Sequence, residues 1–347
     1  MTETATTARR TAPGGSGLPL TEAYDTALLD LDGVVYTGPN AIEHAVASLE
    51  SARTAGMRLA YVTNNASRPP RVVAEHLTEL GVPAEPADVI NSAQAAARVV
   101  SEKVPAGAKV LVVGGAGLEE ALAERGLVAV RTLAEEPLAV VQGFDPSVGW
   151  QQLAEASFAI QSGLPWVASN LDLTVPQARG IAPGNGTLVA AVRAATGVEP
   201  EVAGKPLPPM HRETVLRTGA RRPLVVGDRL DTDIEGAFNG GVDSLLVFTG
   251  VTTPLQLLAA PAEHRPTYLA EDLRGLLESH PEAVAEPGGG FGCGGWTAVA
   301  QDGELRLTAT GEDRWDGLRA LCAAAWTALD AGGEPVDGRK ALAELGF

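Results

Sequence analysis

At 347 residues the chain exceeds one average domain, and its apolar content is ample for two packed units. A formal net charge of -17, with no basic stripe to offset it, argues against nucleic acid or anionic membrane as a partner. No run of 18 apolar residues is present, so a membrane span is not expected.

The first 20 residues are Thr-rich, carry Arg9-Arg10 and Pro13-Gly14-Gly15-Ser16-Gly17, and lack an apolar signal segment. They read as a disordered tail and point to a cytoplasmic protein. The next stretch, Ala27-Leu28-Leu29-Asp30-Leu31-Asp32-Gly33, is an apolar strand ending in two carboxylates spaced i, i+2. On an extended backbone both side chains point to one face, where their repulsion calls for a cation between them. A plain strand end followed by an Asp-Gly turn would also give this pattern. Three later segments tip the balance, because each is an apolar run that closes on polar residues suited to phosphate or metal. They are Leu59-Ala60-Tyr61-Val62-Thr63 before Asn64-Asn65, then Val202-Ala203-Gly204-Lys205-Pro206, then Leu224-Val225-Val226-Gly227-Asp228. Ligands of parallel α/β sheets bind beyond the carboxyl ends of strands, where Asp30, Thr63 and Asp228 would fall.

About 140 residues separate Thr63 from Lys205, far more than a connection needs. They alternate strand candidates at 109–113, 138–141 and 165–168 with helical stretches near 118–125 and 151–162, the pattern of an inserted α/β domain. Within it, Gly114-Gly115-Ala116-Gly117 follows a strand but has Glu120 where a dinucleotide fingerprint needs its third glycine, so no nicotinamide cofactor is expected. Asp231 and Asp233 fall where acids cap a helix beginning near Thr232; Asp233 could in addition orient a metal-bound water. Residues 281–295, with Gly288-Gly289-Gly290 and Gly294-Gly295, read as a flexible linker. Beyond it, Trp296–Ala300 and Glu304–Thr308 form a hairpin candidate, and a helix is expected over Trp315–Leu329 with Leu318, Leu321, Cys322, Ala325, Trp326 and Leu329 on one stripe. So small a unit should pack on the main body or on another subunit. Cys293 and Cys322 match no metal-ligand spacing and read as free thiols.

The order Asp-x-Asp-Gly, Thr-Asn-Asn, Gly-Lys-Pro, Gly-Asp-Arg-Leu-Asp-Thr-Asp resembles the haloacid dehalogenase superfamily of phosphatases, in its class IIA branch of nitrophenylphosphatase-like and nucleotidase-like enzymes, over roughly residues 22 to 280. The resemblance implies a Rossmann-like parallel-sheet core with an inserted α/β cap and, here, a small C-terminal α+β appendage. The expected division is a tail at 1–20, core at 21–86 and 191–280, cap at 87–190, linker at 281–295 and appendage at 296–347. Asp30 would be the nucleophile and Asp32 the general acid and base; Thr63, Asn64 and Lys205 would hold the phosphoryl group. Mg²⁺ would be held by Asp30, the Asp32 backbone carbonyl and Asp228, with Asp233 behind them. Ser169-Asn170-Leu171-Asp172 occupies the place of the family's cap segment Thr-Asn-x-Asp, so Asn170 and Asp172 would shape the substrate pocket.

The chemistry explains the residue types. A phosphate dianion repels an attacking carboxylate unless cations neutralise both, and hard oxygen ligands suit Mg²⁺. An acid two residues after the nucleophile separates this chain from dehalogenases and ion-pumping ATPases and favours hydrolysis of the aspartyl phosphate. The implied substrate is a small phosphorylated metabolite, with glycerol 3-phosphate first because similar appendages, resembling a fragment of an acetyltransferase fold, occur on actinobacterial members acting on it. Phosphoglycolate, sugar phosphates and nucleoside monophosphates follow. Homo-oligomerisation through the cap or the appendage stays open. From another class, a phospho-accepting signalling module also combines acids, Thr and Lys on a parallel sheet, but nothing here matches its acceptor on a third strand.

Overall fold

A computed structural model describes residues 10–177 and 179–347. The chain divides into two compact units, one of Met1–Leu59 with Ala220–Phe347 and one of Ala60–Gly219.

In the first unit the strands Tyr268–Ala270, Asp243–Val247, Pro223–Gly227 and Thr26–Leu29 lie side by side in that order, all parallel. Both faces are covered, so these strands read as continuous apolar runs; Ala27, Leu28, Leu29, Leu224 and Val226 are buried. Leu29 stands opposite Val226, and the Asp30 amide donates to the Val226 carbonyl at 2.8 Å. Asp30 and Asp228 therefore leave adjacent strands at the same rim of the sheet.

The C-terminal part of this unit is larger than a hairpin and one helix. Val284–Ala285, Phe291–Cys293, Trp296–Gln301 and Glu304–Ala309 form a four-stranded antiparallel sheet, with the helices Arg314–Asp330 and Arg339–Glu344. The expected flexible linker is thus largely strand and turn. Its glycines sit at positive φ between the strands, Gly289 at 88° and Gly290 at 92°, so they shape turns instead of loosening the chain. The long helix is buried almost all round: beyond the expected stripe, Gly317, Arg319, Ala320, Ala323 and Ala324 are also buried, while Leu329 is only partly so. Alanines on its other faces let strands and helices approach closely. Appendage and hydrolase sheet share one apolar cluster, in which Leu246, Leu257 and Leu269 meet Trp296, Leu321 and Trp326. The Trp326 indole donates to the Leu257 carbonyl at 2.9 Å, and buried Arg265 forks onto Asp330 at 2.8 and 2.9 Å.

The segment 10–20, expected as tail, is fastened to this unit. Gly14 N donates to the Thr267 carbonyl and Ser16 N to the His280 carbonyl, both at 2.8 Å, and Leu20 is fully buried. The remainder of the expected tail, 1–9, lies outside the described residues.

The second unit holds a five-stranded parallel sheet in the order Glu201–Val202, Trp166–Ala168, Ala139–Gln142, Lys109–Val113, Val128–Val130. Helices Ala116–Glu124 and Trp150–Gln161 stand where periodicity put them. The strand Arg58–Thr63 pairs in parallel with Val89–Asn91. Buried Glu213, on the helix Pro208–Thr218, accepts from Arg217 Nε at 2.5 Å, from Arg125 at 2.9 Å and from Arg98, fastening three helical segments to one carboxylate. Among the described residues, no helix is long and apolar enough to cross a membrane.

Candidate active site

In the first unit, Asp30, Asp228 and Asp233 each offer a carboxylate oxygen within 4.8 Å of the others. Asp228 is 0% and Asp233 1% exposed, so water screens little of their mutual repulsion. Three carboxylates held this closely need a cation, and an all-oxygen, all-carboxylate set fits Mg²⁺ or Ca²⁺ in preference to softer metals. Asp32, two residues beyond Asp30, is exposed.

Local backbone explains how the acids are held. Gly33 adopts φ 87° and donates its N–H to the Tyr36 carbonyl at 2.9 Å, turning the chain sharply after Asp32. A Cβ at Gly33 would lie 2.6 Å from Asp228 Oδ2, so the turn also leaves room for that carboxylate. Asp233 sits in the wide π-type turn Leu230–Ile234, before the helix Glu235–Gly240, and its Oδ2 accepts from the Arg229 amide at 3.2 Å. Asp231 is spent on a surface pair with Arg229 at 2.8 Å.

Sequence reasoning missed the segment Thr249-Gly250-Val251. Thr249 Oγ1 donates to the Gly33 carbonyl at 2.6 Å, and the Val251 amide donates to Asp228 Oδ2 at 2.7 Å. A Cβ on Gly250 would fall 1.9 Å from that same oxygen. The available signal was a Thr-Gly pair just after an apolar strand.

The second unit gathers the other expected residues. Thr63 ends its strand, 5% exposed, and its Oγ1 accepts from the Asn65 amide at 3.1 Å. Lys205 Nζ donates to the Val62 carbonyl at 3.1 Å, which holds the ammonium at the end of the same strand. Asn64, expected on the phosphoryl group, has both ends of its amide committed: Oδ1 accepts from Lys205 N at 2.8 Å, and Nδ2 donates to Lys205 O at 3.1 Å and Asp172 Oδ1 at 3.2 Å. Its arrangement is that of a clamp on the Gly-Lys-Pro loop. Asn170, 3% exposed, donates to the Asn64 carbonyl at 2.7 Å and accepts from the Asp172 amide at 3.1 Å. Asn170 is thus internal framework, and Asp172 is the more accessible of the two expected cap residues.

Carboxylates gathered beyond adjacent parallel strands fit a metal-assisted enzyme of the α/β class. Residues 27–128 match the haloacid dehalogenase-like hydrolase family, 202–276 the related HAD-hydrolase-like family, and 293–347 a GCN5-related N-acetyltransferase-like domain. Over 315 residues the chain is 44% identical to the D-glycerol 3-phosphate phosphatase of Mycobacterium tuberculosis, covering 90% of this chain and 88% of that protein. It is 38% identical to the acid sugar phosphatase of Staphylococcus aureus over 76% of this chain and 98% of that one. The M. tuberculosis glycerol phosphate phosphatase solved with magnesium superposes with a TM-score of 0.86 at 41% identity, covering 94% of this chain and 99% of the other. A thermostable nitrophenylphosphatase from Geobacillus stearothermophilus reaches 0.66 at 33% identity, covering 72% and 96%. The chain belongs to the haloacid dehalogenase-like hydrolases and stands among their phosphatases.

Proposed function

We propose that this protein is a Mg²⁺-dependent phosphatase hydrolysing glycerol 3-phosphate. The observation that carries the chemistry is the buried cluster of Asp30, Asp228 and Asp233 beyond neighbouring parallel strands. The substrate rests on the similarity to the glycerol 3-phosphate phosphatase, which extends through the appendage.

In this reading Asp30 attacks phosphorus and becomes an aspartyl phosphate, while Asp32 donates a proton to the departing alkoxide. Asp32 then takes a proton from the water that cleaves the acyl phosphate, regenerating Asp30. Asp30, Asp228 and the Asp32 backbone carbonyl, with Asp233 behind them, would hold Mg²⁺, which when bound would supply neutralising charge. Thr63 and Lys205 bind the phosphoryl oxygens, and Asn64 positions Lys205. Asp172, steadied by Asn170, lines the specificity side. The functional division is a core of 21–86 and 191–280 with a cap of 87–190. The partner is a small cytoplasmic metabolite, and any homo-oligomer forms through the cap or the appendage.

Asp30→Asn should lower nitrophenyl phosphate hydrolysis in Mg²⁺ by at least about 10³-fold; retained turnover would contradict covalent catalysis. For the substrate, kcat/KM across a panel should be highest for glycerol 3-phosphate. A higher value for sugar phosphates, phosphoglycolate or nucleoside monophosphates would reassign it. Stoichiometric phosphorylation without turnover would instead indicate a signalling module.

A further inference from the structure

The segment that locks Asp228 is fastened from behind by the C-terminal appendage. Phe248, next to Thr249, stacks on Trp315 with ring centroids 5.1 Å apart, and Trp315 meets Phe347 edge-on at 5.0 Å. The Arg314 guanidinium lies 5.1 Å from the Trp315 ring centroid and 4.6 Å from that of Phe347. Arg314 also donates to Glu271 Oε1 at 3.2 Å, while the Glu271 carbonyl accepts the Phe248 amide at 3.1 Å. Phe248 is therefore gripped at ring and backbone by one connected group of residues. On the other side of the metal cradle, Ile234, adjacent to Asp233, is 1% exposed within the apolar cluster that the appendage helix completes.

We propose that the appendage is a positioning element of the metal cradle, with the Phe248–Trp315–Phe347 stack holding Thr249–Val251 so that the Val251 amide and the Gly250 Cα set the place of Asp228. The acetyltransferase-like fold then serves phosphate chemistry as a mechanical support and needs no acyl donor. The physical basis is geometric. The Val251 loop amide donates to Asp228 Oδ2 at 2.7 Å, and a loop shift of a few tenths of an ångström lengthens that bond while leaving the carboxylate in place to bind more weakly. Trp315 reaches the loop through Phe248, and Phe347 reaches it through Trp315. The proposal deepens the phosphatase reading for substrate turnover, but its cation-binding half stands independently of it.

The experiment compares wild type with Phe347→Ala, Trp315→Ala and Trp315→Phe. Mg²⁺ binding is read without substrate by calorimetric titration and by the Mg²⁺-induced rise in Tm; nitrophenyl phosphate hydrolysis is read across Mg²⁺ concentrations. Phe347→Ala and Trp315→Ala should weaken Mg²⁺ about three- to tenfold in both measurements, below the 10- to 100-fold typical of groups bonded directly to a ligand. Their kcat at saturating Mg²⁺ should stay within about twofold of wild type, and Trp315→Phe should recover most of the affinity. If Trp315→Ala does not fold, the other two decide. Folded Phe347→Ala with an unchanged Mg²⁺ isotherm overturns the proposal, and so does loss of kcat without loss of affinity. Should wild type bind Mg²⁺ yet release no phosphate from any ester, the phosphatase reading fails and the positioning claim is still tested by the isotherms.

Discussion

Replacing Gly250 by alanine adds one methyl group where the structure has least room for it. The new Cβ would lie 1.9 Å from Asp228 Oδ2 and 2.5 Å from its Cγ, whereas ordinary contact begins at 3.4 Å. The carboxylate, the loop, or both must yield by roughly 1.5 Å, and Asp228 cannot swing freely because Gly33 faces its other side at a position where a Cβ would also collide. A displacement near 1 Å in a charge-neutralising site costs on the order of 10²-fold in rate, or about 2.7 kcal/mol of barrier. Overpacking itself should take about 1–3 kcal/mol from stability, leaving a folded protein. Initial rates of phosphate release across Mg²⁺ concentrations, with a thermal melt to verify folding, should show kcat/KM down about 10²-fold and a higher Mg²⁺ requirement. Gly288→Ala is the matched control, since nothing lies within 4 Å of its Cβ. A Gly250→Ala enzyme with wild-type rate and Mg²⁺ dependence would refute the claim that this loop fixes Asp228.

Glu213→Gln should destabilise the protein by about 3–5 kcal/mol near neutral pH, because it leaves Arg98, Arg125 and Arg217 around a neutral amide. Burial pushes the Glu213 carboxyl up, but the hydrogen bonds from Arg98 and Arg217 and the nearby charges outweigh it and hold it below its ordinary value. A depressed carboxyl contributes stability above the unfolded pKa and loses it as pH falls through the folded one, so the Tm gap between variant and wild type should narrow as the pH drops below about 4.3. A gap that widens on acidification would contradict this. Asn64→Ala should raise KM for the phosphate ester about tenfold or more by freeing the Lys205 loop, with a smaller effect of Lys205→Arg on stability; unchanged KM would remove Asn64 from any positioning role. A chain ending at Ala283 should aggregate on expression, since it bares Leu246, Leu257 and Leu269 that the long helix covers, and a monodisperse product with native Tm would show the appendage to be separable.

What could be read from residue order differs in kind from what could not. Asp30 and Asp228 were legible because an apolar run that stops on a carboxylate marks the rim of a parallel sheet, and both runs became neighbouring strands. Asp233 was read as a helix-start acid that could also orient a metal-bound water; it lies just before the helix Glu235–Gly240 and within 4.8 Å of oxygens of Asp30 and Asp228. The Thr249–Val251 clasp carries no charge, and its role is exercised through backbone and missing side-chain volume, which one sequence does not display. Residues 281–295 misled because glycine counts alike as looseness and as turn chemistry; pairing of Phe291–Cys293 with Trp296–Ala298 decides for the second. The long helix was placed to within one residue at either end, yet its buried alanine faces were invisible to a search for one large-residue stripe. Asn64 was read as a phosphate-binding residue, whereas its side-chain bonds to Lys205 N and O, which one sequence does not display, hold the Gly-Lys-Pro loop.

The division of the chain into a continuous unit, Ala60–Gly219, and one assembled from both flanks has a kinetic consequence. The strand Thr26–Leu29 must wait for Pro223–Gly227, almost two hundred residues downstream, before it gains that parallel neighbour, whereas the continuous unit can close its own sheet as soon as it is made. Nascent chains should therefore pass through a stage in which the inserted unit is protease-resistant while the strand that ends at Asp30 is still exposed, and conditions that slow late synthesis should leave the aspartate cluster, not the insert, as the part that misassembles.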